Sequence, residues 1–349
     1  MFSFRTTPLL EQEDLTLRRG LLAVLEDPTA WHPQYGEYLH YTLARYRNVV
    51  PLASLQDSAT LEKADAVIIE HQDTGTRFDP FLKQLRAFFL EQNRSEKPLS
   101  VYIIDRFNPS GRTVEGGHYD GLPHRHGLTM GEIANMYYTE MNATFPLHII
   151  SAAANDAARE LMPWSIPQEC GLSHLFSAVF MSGSSLWRGT NVSWGEGTAR
   201  PLEMFGAPFL QRLERKRDFV WENALTWNDV DSPVYDKGVY MRWCSFVPEA
   251  GLYAGQRYFG FQMMPNPGEP QYHSLLHALR LIRFVAENCP EFAFNEQMDS
   301  LAGSEEVMAY LRGTIPYDDV RDHIKSEEQK WLRKAKKYLL YPDPLVRVK

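Results

Sequence analysis

The eight residues from Glu70 to Arg77, EHQDTGTR, place two carboxylates, a histidine, an amide and a guanidinium around one glycine. They directly follow the apolar run ADAVII, whose composition predicts a buried strand. Polar side chains concentrated in a loop that a rigid strand positions are typical of binding and catalytic sites. The stretch therefore marks a candidate functional loop at the end of this strand.

A second polar loop follows the next predicted strand. The segment DRFNPSGRTVEGG comes directly after Val101–Ile104. Ligands of parallel α/β sheets bind outside the carboxyl ends of the strands, and neighbouring strands bring their ends to one edge. We therefore expect Asp105, Arg106, Asn108 and Glu115 to emerge on the same edge as Glu70 and Asp73.

The elements that must position these loops are those of an α/β protein with a Rossmann-like, mainly parallel sheet. Short apolar runs alternate with longer periodic segments, the pattern of βα units. The clearest strands are Ala66–Ile69, Val101–Ile104 and Leu147–Ile150. A helix is predicted to begin at Asp79 as N-cap with Pro80 in its first position, and a second helix begins where Thr129 and Glu132 have the spacing of a capping box.

The second half predicts a different arrangement. Apolar residues at Leu275, Leu279 and Val285 recur at helical spacing, and the terminal segment EEQKWLRKAKKYLLYP predicts a basic helix that Pro342 ends. Gly, Ser and Pro become frequent between residues 151 and 210, where we place the domain border. The expected domains are residues 1–155, Rossmann-like, and residues 156–349, a smaller α+β domain.

Composition limits the class of protein. The chain has 349 residues with 36 Lys and Arg against 44 Asp and Glu, a net charge of −8, which argues against nucleic acid as a partner. No run of about 18 apolar residues predicts a membrane span. The N-terminus lacks the apolar core of a secretory signal, and the three cysteines have no motif spacing, so we expect a cytoplasmic protein with reduced thiols.

Five segments occur in an order that resembles one family. EHQDTGTRF, DRFNPSGRTVEG, HRHGLTMGEIA, RGTNVSWGEGTARPLEMFGAPF and KKYLLYP together span most of the chain. This order is similar to that of the exo-β-N-acetylmuramidase NamZ family, formerly a domain of unknown function. The resemblance implies a Rossmann-like domain followed by a smaller α+β domain, with the active site in the cleft between them.

The resemblance also implies an activity, the release of N-acetylmuramic acid from the non-reducing end of peptidoglycan fragments without a metal or organic cofactor. Its ligand would be a muropeptide or another saccharide that contains N-acetylmuramic acid. Hydrolysis of a glycoside ordinarily needs two carboxyl groups, although attack by the substrate's own 2-acetamido group can replace the protein nucleophile. The candidate catalytic residues are Glu70, Asp73, Glu115 and His126, and the candidate substrate-binding residues are Gln72, Arg77, Arg106, Asn108, Glu132 and Asn191.

Two of these roles are specific. Glu70 is the candidate general acid, because burial beside the apolar strand would raise the pKa of its carboxyl group. Arg77 is the first candidate for binding the lactyl carboxylate that distinguishes muramic acid, and Arg106 is the second, because a guanidinium binds a carboxylate through two directed hydrogen bonds.

The sequence departs from the family pattern in three places. The family has a Pro-Glu-His-Gly motif with a candidate catalytic glutamate in a βα unit before the EHQD strand, whereas here the space holds YRNVVPLASLQDSATLEKAD. The usual Asp-Ile-Gln-Asp is Glu70-His71-Gln72-Asp73. An acid and a base have exchanged places at Arg188 and Glu196, which predicts an ion pair of reversed polarity if the two side chains touch.

Other interpretations stay open at this point. A protein without the motif glutamate could bind or sense muropeptides with impaired catalysis. His118, Asp120, His124 and His126, with His71 and Asp73, could instead assemble a divalent metal site, although their spacing matches no standard zinc pattern. Each candidate also has a structural interpretation: Asp73 and Arg77 as turn and ion-pair residues, Asn191 as a turn residue, and Glu132 as a helix cap.

Overall fold

The structure is a computed structural model that describes residues 1–5, 14–26, 37–117, 119, 121–151, 172–173, 175–215, 234–266, 268–269 and 272–348. The chain divides into two compact units. As far as they are described, residues 1–112, 127–170 and 335–344 form the first unit, and residues 113–126, 171–334 and 345–349 form the second. The chain therefore passes between the units several times. The single border at residue 155 remains a prediction.

The first unit is built on a parallel sheet. Its strands are β1 (Phe2–Arg5), β2 (Leu21–Glu26), β3 (Asn48–Pro51), β4 (Ala66–Glu70), β5 (Ser100–Ile104) and β7 (Leu147–Ile150). They lie in the order β1-β7-β5-β4-β2-β3, and every neighbouring pair is parallel. All five residues of β4 are buried, as expected for a central strand covered on both faces.

The structure describes five helices in the first unit, and all but one of them begin at a residue whose side chain caps the helix. The five helices are α1 (Leu15–Arg19), α2 (Leu39–Ala44), α3 (Ser58–Leu61), α4 (Pro80–Arg94) and α5 (Met130–Glu140). Asp79 caps α4 by accepting a hydrogen bond from the backbone of Phe81, with Pro80 in the first turn. Thr129 and Glu132 form the reciprocal capping box of α5. Both predicted caps are confirmed.

The second unit combines a small sheet with helices. Strands β8 (Met204–Ala207), β9 (Val239–Phe246) and β10 (Tyr258–Pro265) form an antiparallel sheet in the order β8-β10-β9, and β6 (Thr113–Val114) pairs in parallel with β11 (Val346–Arg347). The helices are α6 (Leu175–Ser184), α7 (Gln211–Arg215), α8 (Ser274–Asn288), α9 (Met298–Ala302), α10 (Glu305–Leu311) and α11 (Tyr317–Ala335), with 3-10 turns at Ser185–Gly189 and Pro208–Leu210. The core of this unit includes the stacked rings of Trp187 and Phe205.

The predicted fold class is confirmed, with two differences in its elements. Strands β1, β2 and β3 were not among the predicted strands, and the segment thought only to fill the space before Glu70 contains β3 and α3. The predicted terminal helix begins earlier, at Tyr317, and ends at Ala335, before a 3-10 turn over Lys336–Tyr338. Leu339 is extended, so the chain leaves the helix before Pro342 can act as its stop signal.

Two other expectations concern the cysteines and the absence of a membrane span. Cys289 is buried and Cys244 is half-buried, whereas Cys170 lies outside the described residues. Among the helices that the structure describes, none is both long and apolar enough to cross a membrane.

Candidate functional site

Glu70 is the last residue of β4 and lies at the carboxyl edge of the parallel sheet. It is buried and forms an ion pair with Arg106, whose Nε lies 3.1 Å from Oε1 of Glu70 and whose terminal nitrogen also contacts that oxygen. Arg106 is buried as well and follows β5, so the adjacent strand ends bring the two residues together. The predicted acid role assumed apolar surroundings, whereas a guanidinium contact favours the ionised carboxylate.

The glycine within EHQDTGTR is needed for a close approach between the two loops. Gly75 has a φ of 85°, and a Cβ atom there would lie 2.4 Å from the side-chain oxygen of Asn108 and 2.6 Å from Cβ of Ser110. Ser110 donates a hydrogen bond of 2.8 Å to the carbonyl of Thr74, and Gln72 donates one of 3.1 Å to the carbonyl of Phe107. The loops that follow β4 and β5 are therefore bonded to each other, as their positions in the sequence predicted.

The remaining polar residues of the first loop have separate contacts. Asp73 is buried, with 1% of its surface exposed. His71 stacks on Phe81 at a ring distance of 4.0 Å and lies with Nε2 3.0 Å from Oδ2 of Asp79, the cap of α4. Arg77 is partly buried, and its guanidinium lies 5.1 Å from the ring centre of Phe78.

Asp105 anchors the end of β5 to helix α5. Its carboxylate accepts hydrogen bonds from the backbone of Gly131 at 2.7 Å, the hydroxyl of Thr129 at 2.9 Å and the hydroxyl of Tyr341 at 2.7 Å. It also accepts one from the backbone of Arg106 at 2.8 Å, which fixes the residue that pairs with Glu70. Burial, with a smaller effect of the nearby Glu132, raises the pKa of Asp105 to about 7, although the hydrogen bonds from Gly131, Tyr341 and Thr129 act in the opposite direction.

Two candidate binding residues of the first unit hold neighbouring segments. The side-chain amide of Asn108 donates a hydrogen bond of 2.7 Å to the carbonyl of Leu128, just before α5. Glu132 is fully buried; besides capping α5 it pairs with Arg112 and accepts a hydrogen bond of 3.0 Å from the backbone of Leu340. The cap interpretation of Glu132 is confirmed, and a role for either residue in substrate binding stays a prediction.

Glu115 belongs to the second unit and lies in a buried network of charges. One oxygen is 3.0 Å from Arg125, and the other accepts hydrogen bonds from the hydroxyl of Ser182 at 2.7 Å and the backbone of Leu275 at 3.0 Å. His273 lies 3.6 Å from Glu115. Although burial acts to raise it, His273, Arg125 and these hydrogen bonds keep the pKa of Glu115 below its usual value.

His273 joins this network to a second acid. Its Nε2 lies 2.8 Å from Oε1 of Glu328, and the same oxygen accepts a hydrogen bond of 3.1 Å from the backbone of Gly116. Burial alone would lower the pKa of His273, but the two glutamates outweigh it and raise the value. The arrangement suits a buried ion network that holds the Glu115 loop in place, and a catalytic role for Glu115 stays a prediction.

The other candidates of the second unit also have structural contacts. His126 is fully buried, and its carbonyl accepts a hydrogen bond of 3.0 Å from the indole of Trp331. Asn191 donates a hydrogen bond of 2.7 Å to the carbonyl of Glu291 and accepts one of 2.9 Å from the backbone of Ala293. These two bonds connect Asn191 to a segment 100 and 102 residues later in the chain, so they are long-range contacts and differ from the local turn role that the structural interpretation assigned to it.

Two sequence hypotheses can be compared with these positions. The guanidinium of Arg188 lies 4.5 Å from the ring centre of Trp194, and its predicted pair with Glu196 stays a prediction. Within the described part of the chain, no group of three or more His, Cys, Asp or Glu side chains is placed to hold a metal ion. His118 and Asp120, which were part of the metal hypothesis, lie outside the described residues.

The ten predicted site residues are distributed over both units. Seven of them belong to the first unit and three, Glu115, His126 and Asn191, to the second. Their arrangement along one cleft therefore stays a prediction. One acidic residue at the same sheet edge was not among the predicted site residues: Glu26 ends β2 and pairs in register with Glu70. The apolar run LLAVL before it has the composition of a buried strand and was the signal that could have indicated it.

Two family models and one curated relative match this chain. Residues 52–167 match the N-terminal model of the exo-β-N-acetylmuramidase NamZ, and residues 179–341 match its C-terminal model. The peptidoglycan β-N-acetylmuramidase NamZ of Bacillus subtilis (strain 168) is 24% identical over 303 residues, which cover 80% of this chain and 68% of that protein.

Solved structures agree at the level of the fold. Two DUF1343 family proteins of Bacteroides fragilis NCTC 9343 superpose with TM-scores of 0.74 and 0.71 at 20% and 18% identity, covering 93% and 94% of this chain and 95% of each of theirs. The two model matches follow each other in chain order and leave outside them residues 1–51, a short connection and the last residues. The chain belongs to the exo-β-N-acetylmuramidase NamZ family.

Proposed function

We propose that this protein is a glycoside hydrolase that releases N-acetylmuramic acid from the non-reducing end of peptidoglycan fragments. The observation that carries the proposal is the match of both family models, in order, over most of the chain. The relative from Bacillus subtilis is named a peptidoglycan β-N-acetylmuramidase. The substrate is a muropeptide or another saccharide that ends in N-acetylmuramic acid.

The sheet edge of the first unit supplies the acidic chemistry for this reaction. In the transition state of glycoside hydrolysis, positive charge develops on the sugar ring, and a buried carboxylate next to it stabilises that charge. Glu70 is buried at the carboxyl edge and is held by Arg106, which favours its ionised form. We assign Glu70 the role of this carboxylate rather than of proton donor.

Glu70→Gln tests this assignment. The substitution keeps the size of the side chain but removes its charge, so we expect turnover to fall by about a hundredfold or more while sugar binding persists. Unchanged turnover in a folded Glu70→Gln variant would move the role to another residue.

Recognition of the lactyl group requires a cation. We assign it to Arg77, which belongs to the loop that Gly75 shapes beside Asn108. Arg77→Ala should weaken N-acetylmuramic acid far more than N-acetylglucosamine, which lacks the lactyl carboxylate. Calorimetry with both sugars measures the difference, and Arg86→Ala, on the exposed face of α4, is the matched control. Equal weakening of both sugars at an unchanged melting temperature contradicts the assignment.

Turnover itself tests the proposed function. The purified protein is incubated with a chromogenic β-N-acetylmuramide and with the disaccharide in which N-acetylmuramic acid is linked to N-acetylglucosamine. We expect release of the chromophore and of free N-acetylmuramic acid, and little release from the matching β-N-acetylglucosaminide. Absence of turnover on both muramic substrates overturns the proposal.

A second candidate is a protein that binds or senses muropeptides without efficient hydrolysis. The observation in its favour is the absence of the Pro-Glu-His-Gly motif from this sequence. Calorimetric binding of the disaccharide without release of either sugar identifies this alternative. Hydrolysis in the cytoplasm and independence of a metal or organic cofactor are part of our proposal, and unchanged activity after dialysis against a chelator tests the latter.

A further inference from the structure

A second acid lies beside Glu70 at the carboxyl edge of the sheet. Strands β2 and β4 are adjacent and parallel, and Glu26 and Glu70 are partners in register as the last residue of each strand. Neighbouring strands lie about 4.8 Å apart, and partners in register direct their side chains to the same face of the sheet. The two carboxylates therefore leave the sheet edge side by side.

The surroundings of the two acids differ. Glu70 pairs with Arg106, which carries a permanent charge. Glu26 instead contacts His40: one oxygen accepts a hydrogen bond of 3.1 Å from the backbone of His40, and the other lies in a short contact with Nδ1 of the imidazole. Two neighbouring acids with a permanent cation on one side and a titratable ring on the other are suited to different roles.

His40 is held in place yet open to solvent. Its ring lies 3.9 Å from that of Tyr41 and 6.2 Å from that of Tyr38, while 28% of the side chain remains exposed. The side chain of Glu26 is 9% exposed. Because Nδ1 contacts Glu26, a molecule bound at this edge would meet the ring at Nε2. An imidazole whose one nitrogen is fixed by a carboxylate is a common form of general acid and base.

We propose that Glu26 and His40 form the acid–base dyad of the glycosidase, with His40 as the catalytic residue and Glu26 as its positioning residue. This inference rests on the proposed function and supplies the proton donor that Glu70, paired with Arg106, does not provide. It also gives this chain an acid–base group in the absence of the Pro-Glu-His-Gly motif.

The proton balance of the reaction follows from this assignment. His40, protonated, gives the proton on Nε2 to the glycosidic oxygen while the bond from that oxygen to C1 breaks and its electron pair stays on the oxygen. Glu70 stabilises the positive charge that develops on the sugar. Water then adds at C1 and gives one proton to the neutral imidazole, which restores the dyad and leaves a hydroxyl group on C1.

A comparison of leaving groups tests the dyad separately from the function. A proton donor is needed when the leaving group is a sugar hydroxyl, but much less when it is an acidic phenol such as 2,4-dinitrophenol. His40→Asn retains an amide that can replace Nδ1 toward Glu26 but carries no transferable proton. We expect its turnover to fall by about 10²- to 10⁴-fold on the disaccharide and by less than about tenfold on the dinitrophenyl muramide.

Two further variants complete the experiment. Glu26→Gln should lower the turnover number on the disaccharide with little change in KM and with the same dependence on the leaving group. His148→Asn is the control, because His148 contacts Ser3 and stacks on Tyr102 within the same sheet but away from its carboxyl edge. We expect its activity on both substrates to match that of the wild type.

The outcomes separate the two proposals. If the wild type hydrolyses both substrates and His40→Asn loses the same factor on each, or loses nothing, the dyad is overturned and the proposed function stands. If the wild type hydrolyses neither substrate, the proposed function and the dyad are both overturned.

Discussion

At the scale of single residues, most of the polar side chains predicted to perform chemistry also have structural partners. Arg106 pairs with Glu70, Arg112 with Glu132 and Arg125 with Glu115, and each acid is buried. A buried ion pair adds little net stability, but the loss of one partner leaves a charge without compensation. A substitution in such a pair therefore changes stability as well as chemistry.

The pair of Glu70 and Arg106 gives a prediction of this kind. Arg106→Ala leaves Glu70 buried beside a missing cation, and we expect the free energy of unfolding to fall by about 3–5 kcal/mol. The double variant Glu70→Gln, Arg106→Ala should recover part of that loss, because the uncompensated charge is gone. Urea denaturation of the single and double variants measures both values, and a double variant no more stable than Arg106→Ala contradicts the explanation.

Asp105 predicts a dependence of stability on pH. Its pKa is about 7 in the folded protein, compared with about 3.9 in an unfolded chain. The folded state therefore binds the proton more tightly than the unfolded chain does. The stabilisation that this proton gives the folded state is present at low pH and is lost as the pH rises from about 4 to 7. The free energy of unfolding of the wild type should fall between pH 5 and pH 8 relative to that of Asp105→Asn.

Denaturation curves at the two pH values measure this difference. Asp299→Asn is a suitable control, because the side chain of Asp299 is 74% exposed, and it should follow the wild type at both pH values. A difference between wild type and Asp105→Asn that stays constant with pH contradicts the raised pKa.

At the scale of elements, the loops after β4 and β5 each contain a glycine with a positive φ, and the two glycines have different surroundings. Gly75 and Gly111 both have positive φ, 85° and 68°. A Cβ atom at Gly75 would clash with Asn108 and Ser110, whereas a Cβ atom at Gly111 meets no atom within 4 Å. Substitution of the two glycines one at a time therefore separates the energetic cost of the backbone conformation from the cost of a clash between the loops.

We expect Gly111→Ala to destabilise the protein by about 1–2 kcal/mol, the cost of a left-handed conformation for alanine. Gly75→Ala should cost about 1–3 kcal/mol more, because the added methyl group also displaces Asn108. Thermal denaturation of both variants measures the difference. Equal losses would show that the loops can separate without cost, contrary to their hydrogen bonds.

The sequence predicted those elements whose signals are local. The buried strand before Glu70, the cap of α4 and the capping box of α5 each depend on residues a few positions apart. Strands β1 and β3 were missed because they are the partly exposed edge strands of the sheet and lack a buried apolar run, whereas β2 has such a run in LLAVL and could have been predicted. The contact of Glu26 with His40 and the register of Glu26 with Glu70 could not be read from the chain, because each joins residues from separate elements.

At the scale of the whole molecule, each compact unit is assembled from separate parts of the chain. Residues 335–344 belong to the first unit although they follow residues 171–334 of the second. The segment KKYLLYP, one of the five that resemble the family, has a structural role here, because three of its residues form hydrogen bonds within the first unit. Tyr338 accepts a hydrogen bond of 3.0 Å at its carbonyl from Asn135, Leu340 donates one to Glu132, and Tyr341 donates one to Asp105.

Tyr341 connects this late segment to the end of β5, and its hydroxyl gives the last prediction. Tyr341→Phe removes a donor to a buried carboxylate, and such a hydrogen bond contributes about 1.5–3 kcal/mol. Because the donor favours the ionised form of Asp105, the loss of stability should be larger at pH 8 than at pH 5. Tyr338→Phe is the matched control in the same segment, because its hydroxyl contacts Glu140 instead, and we expect a smaller loss that is equal at both pH values. Denaturation of the two variants at both pH values measures the effect, and a loss for Tyr341→Phe that is as small at pH 8 as at pH 5 would show that the motif does not control the ionisation of Asp105.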